Sequence, residues 1–592
     1  MTAPVAPPPA GRAYPLPAGP HAVELKENVF VPMRDGVCLA TDLYLPTGAA
    51  AKLPAILIRT PYGKLEWRPE AARGEVVRMF ASNGYVVAVQ DKRGRFRSQG
   101  EYTLAIKEDV DGYDTIEWLA KQDWSSGRIG TYGCSDRGDA QVWLAPTRPA
   151  ALAAMVPQAS GSSIGAAGNR YRYFGAFKGG ALQLAAAADW MIHNGGKTFT
   201  GKPAPAISAA EIDRLLWTLP VSAMMERVGV THTDWESILA HGLTDPWWNQ
   251  FPYLRGDEQV DVPALFVNSW ADFGVNETLF EFDFFRTHSL SQRSASNQFV
   301  IISPSAHCQC EAVTAPTVVG TRDLGDARKD FWSIYLRWFA HWLKGEQNGV
   351  TRMPHVQYYL MGRNEWRATE SWPPPGTRLR RYFLHSAGRA NSRFGDGELS
   401  PRAPRSEEPA DAYTYDPQTP VPTGMGAGLA EGFIDQQAIE ERNDVLVYST
   451  APLRTGVEVT GPVTARLYVS SSAPDTDFTV KLVDVYPDGR AFNVQDGILR
   501  ARYREGFGKS VPMKPGGVYP IDISLDATSN FFDVGHRIRV EVSSSNFPRY
   551  DRNLNTGGDN FSETKVVVAH NTVHHSPDAA SYITLPVVSQ RH

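Results

Sequence analysis

A chain of 592 residues is too long for one hydrophobic core, and two to four domains are the natural reading. Its net charge of -5, spread over that length, excludes a basic face for nucleic acid and an acidic tail. The 42% apolar and 21% charged composition is that of a globular protein, with no apolar run long enough to span a membrane.

Residues 1–24 start with an Ala- and Pro-rich stretch that has neither a basic start nor an apolar run, and read as a disordered lead or an arm, not a secretory signal. Residues 29–32 and 39–44 flank Arg34-Asp35-Gly36 and predict a hairpin. The runs at 54–59 and 85–89 are apolar without alternation, as in strands buried on both faces of a parallel sheet. Helical spacing at 75–81 and 110–121 places crossovers between such strands, which gives a βαβ series. That series resumes at 262–267 and 299–302 and closes on an amphipathic helix over 331–343. Between them, residues 161–258 break the rhythm with helical stretches and the knot Pro246-Trp247-Trp248. An insertion there predicts a helical cap over the carboxyl ends of the strands, where ligands bind in open α/β sheets. Beyond 350, alternating runs at 466–469, 478–485 and 537–542 predict an antiparallel sandwich, with residues 386–422 as a long irregular excursion.

The chemistry concentrates at Gly133-Cys134-Ser135-Asp136-Arg137-Gly138, a strand end turning into a helix start. A serine hydroxyl is a weak nucleophile until a base takes its proton, and a sharp turn bounded by small residues can lift it clear of a sheet to meet one. In α/β folds of this kind the order is Ser, then an acid, then His. Asp272 and His307 follow that order, each just past a predicted strand. The cysteines Cys38, Cys134, Cys308 and Cys310 are too few for a disulfide framework, and Cys308 and Cys310 stand too close to bond each other. They read as buried free thiols, which makes a reducing cytoplasm the default compartment.

With Arg59-Thr60-Pro61-Tyr62-Gly63-Lys64, Asp91-Lys92-Arg93-Gly94-Arg95, the Ser135 turn, Trp270-Ala271-Asp272 and Ser305-Ala306-His307, the chain resembles the cocaine-esterase-like branch of the α/β-hydrolases. That branch also holds X-prolyl dipeptidyl peptidases and α-amino-acid ester hydrolases. The resemblance implies an α/β-hydrolase core (25–160 and 259–350), a helical cap (161–258) and a C-terminal all-β, jelly-roll-like domain (351–592). It implies Ser135 as nucleophile, His307 as general base and acid, and Asp272 as the orienting carboxylate. Tyr62 and the backbone N–H of Asp136 would form the oxyanion hole.

Asp136 departs from the tyrosine common at that position, and a carboxylate beside an oxyanion needs a cation, for which Arg137 and Arg93 are candidates. The substrate pocket is expected from Trp247, Trp248, Trp270 and Phe273, although cap packing suits the first two equally. Glu311 is one candidate for holding a substrate ammonium, and the arginines of 91–95 are expected in structural ion pairs. The implied activity is carboxylic ester hydrolysis on a small-molecule acyl substrate, with amide or Xaa-Pro cleavage as the alternative. A retired binding protein is the rival from another class. No cofactor, metal, nucleic acid or membrane is implied, and a homo-oligomer is left open.

Overall fold

The structure is a computed structural model that describes residues 11–48, 52–71, 73–161, 176–198, 206–424 and 432–589, with the backbone alone at 166–167 and 170–171. Strands β1 (Val23–Pro32) and β2 (Cys38–Pro46) form the expected hairpin. They are followed by β3 (Leu53–Thr60), helix α1 (Gly74–Ser82), β4 (Val86–Asp91), helix α2 (Glu108–Ala120), β5 (Ser125–Cys134), helix α3 (Asp136–Leu144) and β6 (Leu152–Gln158). Strands Ala264–Ser269 and Gln298–Ser303 extend the same sheet in parallel. The ten-stranded order is β1-β2-β4-β3-β5-β6, then the strands at 264, 298, 356 and 365. The expected division at residue 350 thus falls ahead of two strands of this sheet, Val356–Leu360 and Glu365–Thr369.

Unbroken apolar runs are required because both faces of the sheet are covered. Ala55, Leu57 and Ala88 pack under Ile116 and Leu119 of α2 and Val142 of α3. Ile56, Ile58 and Val87 face the other way, toward Phe80 of α1 and Trp338 and Phe339 of the helix Phe331–Lys344. That helix starts at Asp330, whose carboxylate accepts the Ser333 N–H at 3.0 Å, and stops at Gly345 in the left-handed region.

Helices Leu184–Asn194, Ala209–Leu216 and Trp235–Ala240 lie in the insertion and share a core with Trp143 of α3. Among the described residues the C-terminal part is an eleven-stranded β structure whose strands pair antiparallel, apart from Glu398 with Ser449. Its hub is the 15-residue strand Val457–Ser471, which pairs with three others. The stretch expected to be an irregular excursion supplies two short strands, Glu398–Ser400 and Asp411–Tyr415, whose alternation is too brief to be seen against their Pro- and Ser-rich surroundings.

Residues 1–10 lie outside the described residues, but residues 11–20 are an arm laid on the core. Tyr14 and Leu16 pack there, and the Gly19 N–H donates to Ser82 Oγ at 3.0 Å. Among the described residues no helix is long and apolar enough to cross a membrane.

Candidate active site

β5 ends at Cys134 and α3 begins at Asp136, so the whole change of direction falls on Ser135, with φ 64° and ψ −134°. Such a conformation costs a non-glycine residue about 1–3 kcal/mol and persists only where its neighbours fix it. The Ser135 N–H donates to the Gln158 carbonyl of β6 at 2.9 Å, and its own carbonyl accepts from Gly138 at 2.6 Å and Asp139 at 2.9 Å. The flanking glycines are steric necessities. A Cβ on Gly133 would sit 2.5 Å from Arg137 Cβ, and one on Gly138 would sit 2.5 Å from the Gln158 carbonyl oxygen.

The strands at 264 and 298 run side by side next to β6 and deliver Asp272 and His307 to the same sheet edge. His307 Nδ1 lies 2.7 Å from Asp272 Oδ2, and Asp272 Oδ1 accepts the Gly274 N–H at 2.6 Å. The Phe273 ring stacks on the imidazole at 5.1 Å. The C-terminal β structure grips this loop. Gln495 Nε2 donates to the Trp270 carbonyl at 3.0 Å, and Asn276 bonds the Ala527 N–H and the Asp526 carboxylate at 2.8 and 2.7 Å.

Tyr62 lies just past β3, the strand beside β5 in the sheet. Its phenol oxygen accepts the Trp190 indole N–H at 3.3 Å, which leaves the phenol hydrogen for another acceptor. The Asp136 N–H opens α3, where the first amides have no partner within the helix.

The cation that meets Asp136 is Lys92, not Arg137 or Arg93. Lys92 Nζ forms an ion pair with Asp136 Oδ1 and a second with Glu108 at 3.1 Å, and Glu108 in turn pairs with Arg59 at 2.9 Å. Tyr102 donates its hydroxyl to Asp136 Oδ2 at 3.3 Å. Burial pulls the Lys92 ammonium down, but Asp136 and Glu108 outweigh it and hold it above its ordinary value. Arg93 pairs with Asp111 and Asp35, as expected of a structural arginine, and Arg137 lies 4.9 Å over the Tyr62 ring. Because Asp136 is ion-paired with Lys92, Asp136→Asn should move the acid limb of the pH–rate profile on a neutral ester by less than about half a unit. A shift of a full unit or more would mean that Asp136 acts as an unpaired charge.

Ser135, His307, Asp136 and Phe273 line one cavity of about 90 Å³, walled by Leu104, Trp143, Leu182, Trp190, Trp235 and Ile238. Three of the expected pocket residues are elsewhere. Trp247 and Trp248 pack in the cap, Trp247 stacked on His241 at 4.5 Å and Trp248 buried with its indole N–H on the Gly242 carbonyl. Trp270 is buried behind the Asp272 loop and donates to the Tyr359 carbonyl. Glu311 accepts from Tyr335 at 2.6 Å and Gln158 at 2.9 Å and is not among the residues that line the cavity.

The free-thiol expectation fails for two of four cysteines. Cys134 and Cys308 are joined by a disulfide, and Cys38 and Cys310 remain free. Each bonded cysteine adjoins a residue of the expected triad, so bringing Ser135 to His307 brings the two sulfurs together. With two thiols bonded, cysteine usage no longer argues for a reducing compartment.

Residues 35–309 match the model of the X-Pro dipeptidyl-peptidase (S15 family), and residues 348–584 match that of the X-Pro dipeptidyl-peptidase C-terminal non-catalytic domain. A cocaine esterase of Rhodococcus sp. (strain MB1 Bresler) is 35% identical over 583 residues, covering 95% of this chain and 98% of that one. Among solved structures, an α-amino acid ester hydrolase is 25% identical with a TM-score of 0.81, covering 99% of this chain and 100% of its own. An aminopeptidase from a marine sediment Thaumarchaeota archaeon, at 24% identity and a TM-score of 0.82, covers 96% of this chain and 97% of its own and shares the fold. The chain is a serine hydrolase belonging to the X-Pro dipeptidyl-peptidase S15 family, on its cocaine-esterase-like branch.

Proposed function

We propose that the protein hydrolyses carboxylic esters of small apolar acyl groups through an acyl-enzyme on Ser135. The observation that carries this reading is the 2.7 Å contact of His307 with Asp272 beside Ser135 in one apolar cavity. Ser135 Oγ attacks the acyl carbonyl while His307 Nε2 takes its proton, and Asp272 holds the ring and the imidazolium that forms. The oxyanion rests on the Tyr62 hydroxyl and the Asp136 N–H. His307 then protonates the leaving alcohol and activates the water that releases the acid. Residues 25–160 and 259–350 serve as the catalytic part in this reading, with 161–258 as a cap over the cavity and 351–592 as a support for the Asp272 loop.

Ester cleavage is favoured over Xaa-Pro cleavage because a dipeptidyl peptidase must hold a free ammonium. Asp136 is already engaged by Lys92. Burial, reinforced by Asp136, holds the Asp139 carboxyl well above the usual carboxylate range, and it accepts the Gly161 N–H at 2.7 Å. Neither acid is therefore a ready cation site. A fluorophosphonate probe should label the peptide that contains Ser135. Short-chain 4-nitrophenyl esters should exceed Xaa-Pro 4-nitroanilides in kcat/KM by roughly tenfold or more. Labelling elsewhere, or a preference for Xaa-Pro substrates, would overturn the reading.

A further inference from the structure

The Cys134–Cys308 disulfide ties together the two chain segments whose spacing sets the reaction geometry. Cys134 is the last residue of β5 and directly precedes Ser135; Cys308 directly follows His307, 174 positions further along the chain. The nucleophile side is independently rigid, because β5 is a central strand and the Ser135 N–H is bonded to β6. The base side lies on a loop held by side chains rather than by a strand. After the strand Gln298–Ser303 the chain has no regular element until the two-residue strand Val318–Val319. Within that stretch the backbone next to His307 is held by the Ser269 hydroxyl on the Ala306 carbonyl at 3.1 Å and a turn from Gln309 N–H to the Ala306 carbonyl, also 3.1 Å. Cys308 itself sits at φ 56°, a conformation its side chain makes costly without a restraint.

We propose that the Cys134–Cys308 disulfide is a positioning element of the active site, which holds His307 against Ser135 when closed and loosens the pair when reduced. The inference rests on the triad reading above. Sub-ångström placement of a base is worth a great deal, since about 1 Å of misplacement can cost roughly a hundredfold in rate. Cys308 is half-buried and Cys134 buried, so an external thiolate would reach Cys308 Sγ first. It forms a mixed disulfide there and expels the Cys134 thiolate, which takes up a proton. A second thiol of the reductant then frees Cys308, and a dithiol leaves as its own cyclic disulfide, two electrons having passed to the protein. Cys310, two residues on, is no internal substitute for the reductant. Its buried sulfur is turned to the Asn268 carbonyl at 3.4 Å and the Ser305 hydroxyl at 3.6 Å.

The test uses the full chain purified without reductant. Thiol titration after denaturation should find the two free cysteines, Cys38 and Cys310, and four thiols after dithiothreitol. Reduction of the folded protein should lower kcat on 4-nitrophenyl butyrate roughly tenfold or more, slow fluorophosphonate labelling in parallel, and leave KM within about twofold. Reoxidation should restore both rates. The Cys134→Ala/Cys308→Ala protein should start at the low kcat and ignore dithiothreitol. Should that variant not fold, reduction of the native protein, monitored by far-UV circular dichroism, decides alone. Four thiols in the untreated protein, or full reduction with kcat unchanged, would overturn the inference. An oxidised protein that neither labels nor turns over esters would overturn the triad reading and this one together, whereas an active protein indifferent to reduction overturns this one alone.

Discussion

Ser135→Ala and His307→Ala should each lower kcat on simple esters by about four orders of magnitude or more, because the members of a triad act as one unit. The two variants differ in their effect on folding. Ser135→Ala keeps the backbone turn, since the bonds to Gln158, Gly138 and Asp139 all come from the main chain, so its melting temperature should barely move. His307→Ala removes the imidazole from a fully buried carboxylate, and among the described residues Asp272 then keeps the Gly274 N–H at 2.6 Å. Stranding such a charge is costly, so this variant should be destabilised by about 1–3 kcal/mol. His307→Gln, which keeps a hydrogen-bonding group in place, should recover stability without recovering rate. Activity above a few per cent of the parent in either alanine variant would contradict the assignment, provided the protein is purified from a host lacking esterase background.

The parts of this molecule legible in its sequence are those fixed by local rules. The runs at 54–59 and 85–89 are apolar throughout because helices cover both faces of the sheet, and that alone predicts buried strands. Ser135, Asp272 and His307 are legible because each lies just past such a run. What escaped depends on distant partners. Lys92 sits in a stretch crowded with arginines, and nothing local marks it as the residue that meets Asp136. Trp190, which donates to Tyr62 from the helix Leu184–Asn194, lies 128 positions away and carries no motif. Trp247 and Trp248 drew attention as paired aromatics, yet an aromatic knot at a 3₁₀ turn serves cap packing as readily as a pocket. The disulfide could have been read from the triad assignment itself, since residues next to juxtaposed catalytic groups must also be near each other. Spacing along the chain carries no trace of it, because the two cysteines meet only through the fold.

Tyr62→Phe should lower kcat by roughly a hundredfold to a thousandfold, about 2.7–4 kcal/mol of transition-state stabilisation, with KM nearly unchanged. The surroundings of Tyr62 are arranged to hold one hydroxyl in place. Its N–H donates to Thr60 Oγ1 at 3.1 Å, and the Pro61 carbonyl beside it accepts from Arg95 Nε at 3.0 Å. Burial, with help from Asp136, raises the phenol above its ordinary value, while the Arg137 guanidinium over the ring opposes that rise. The phenol therefore stays protonated and able to donate wherever the enzyme works, and the stacked cation keeps it a stronger donor than burial alone would allow. An oxyanion draws more from such a donor than a neutral carbonyl does, so the loss belongs in kcat. Trp190→Phe is the companion variant. It removes the 3.3 Å bond that orients the phenol oxygen but leaves the phenol hydrogen, so its effect on kcat should be less than about tenfold. If Tyr62→Phe instead raised KM and spared kcat, Tyr62 would be a substrate contact, and the oxyanion would have to rest on the Asp136 N–H and a donor not yet identified. If both variants cost the same, the hydroxyl's role would be to hold the cap through Trp190 rather than to meet the oxyanion.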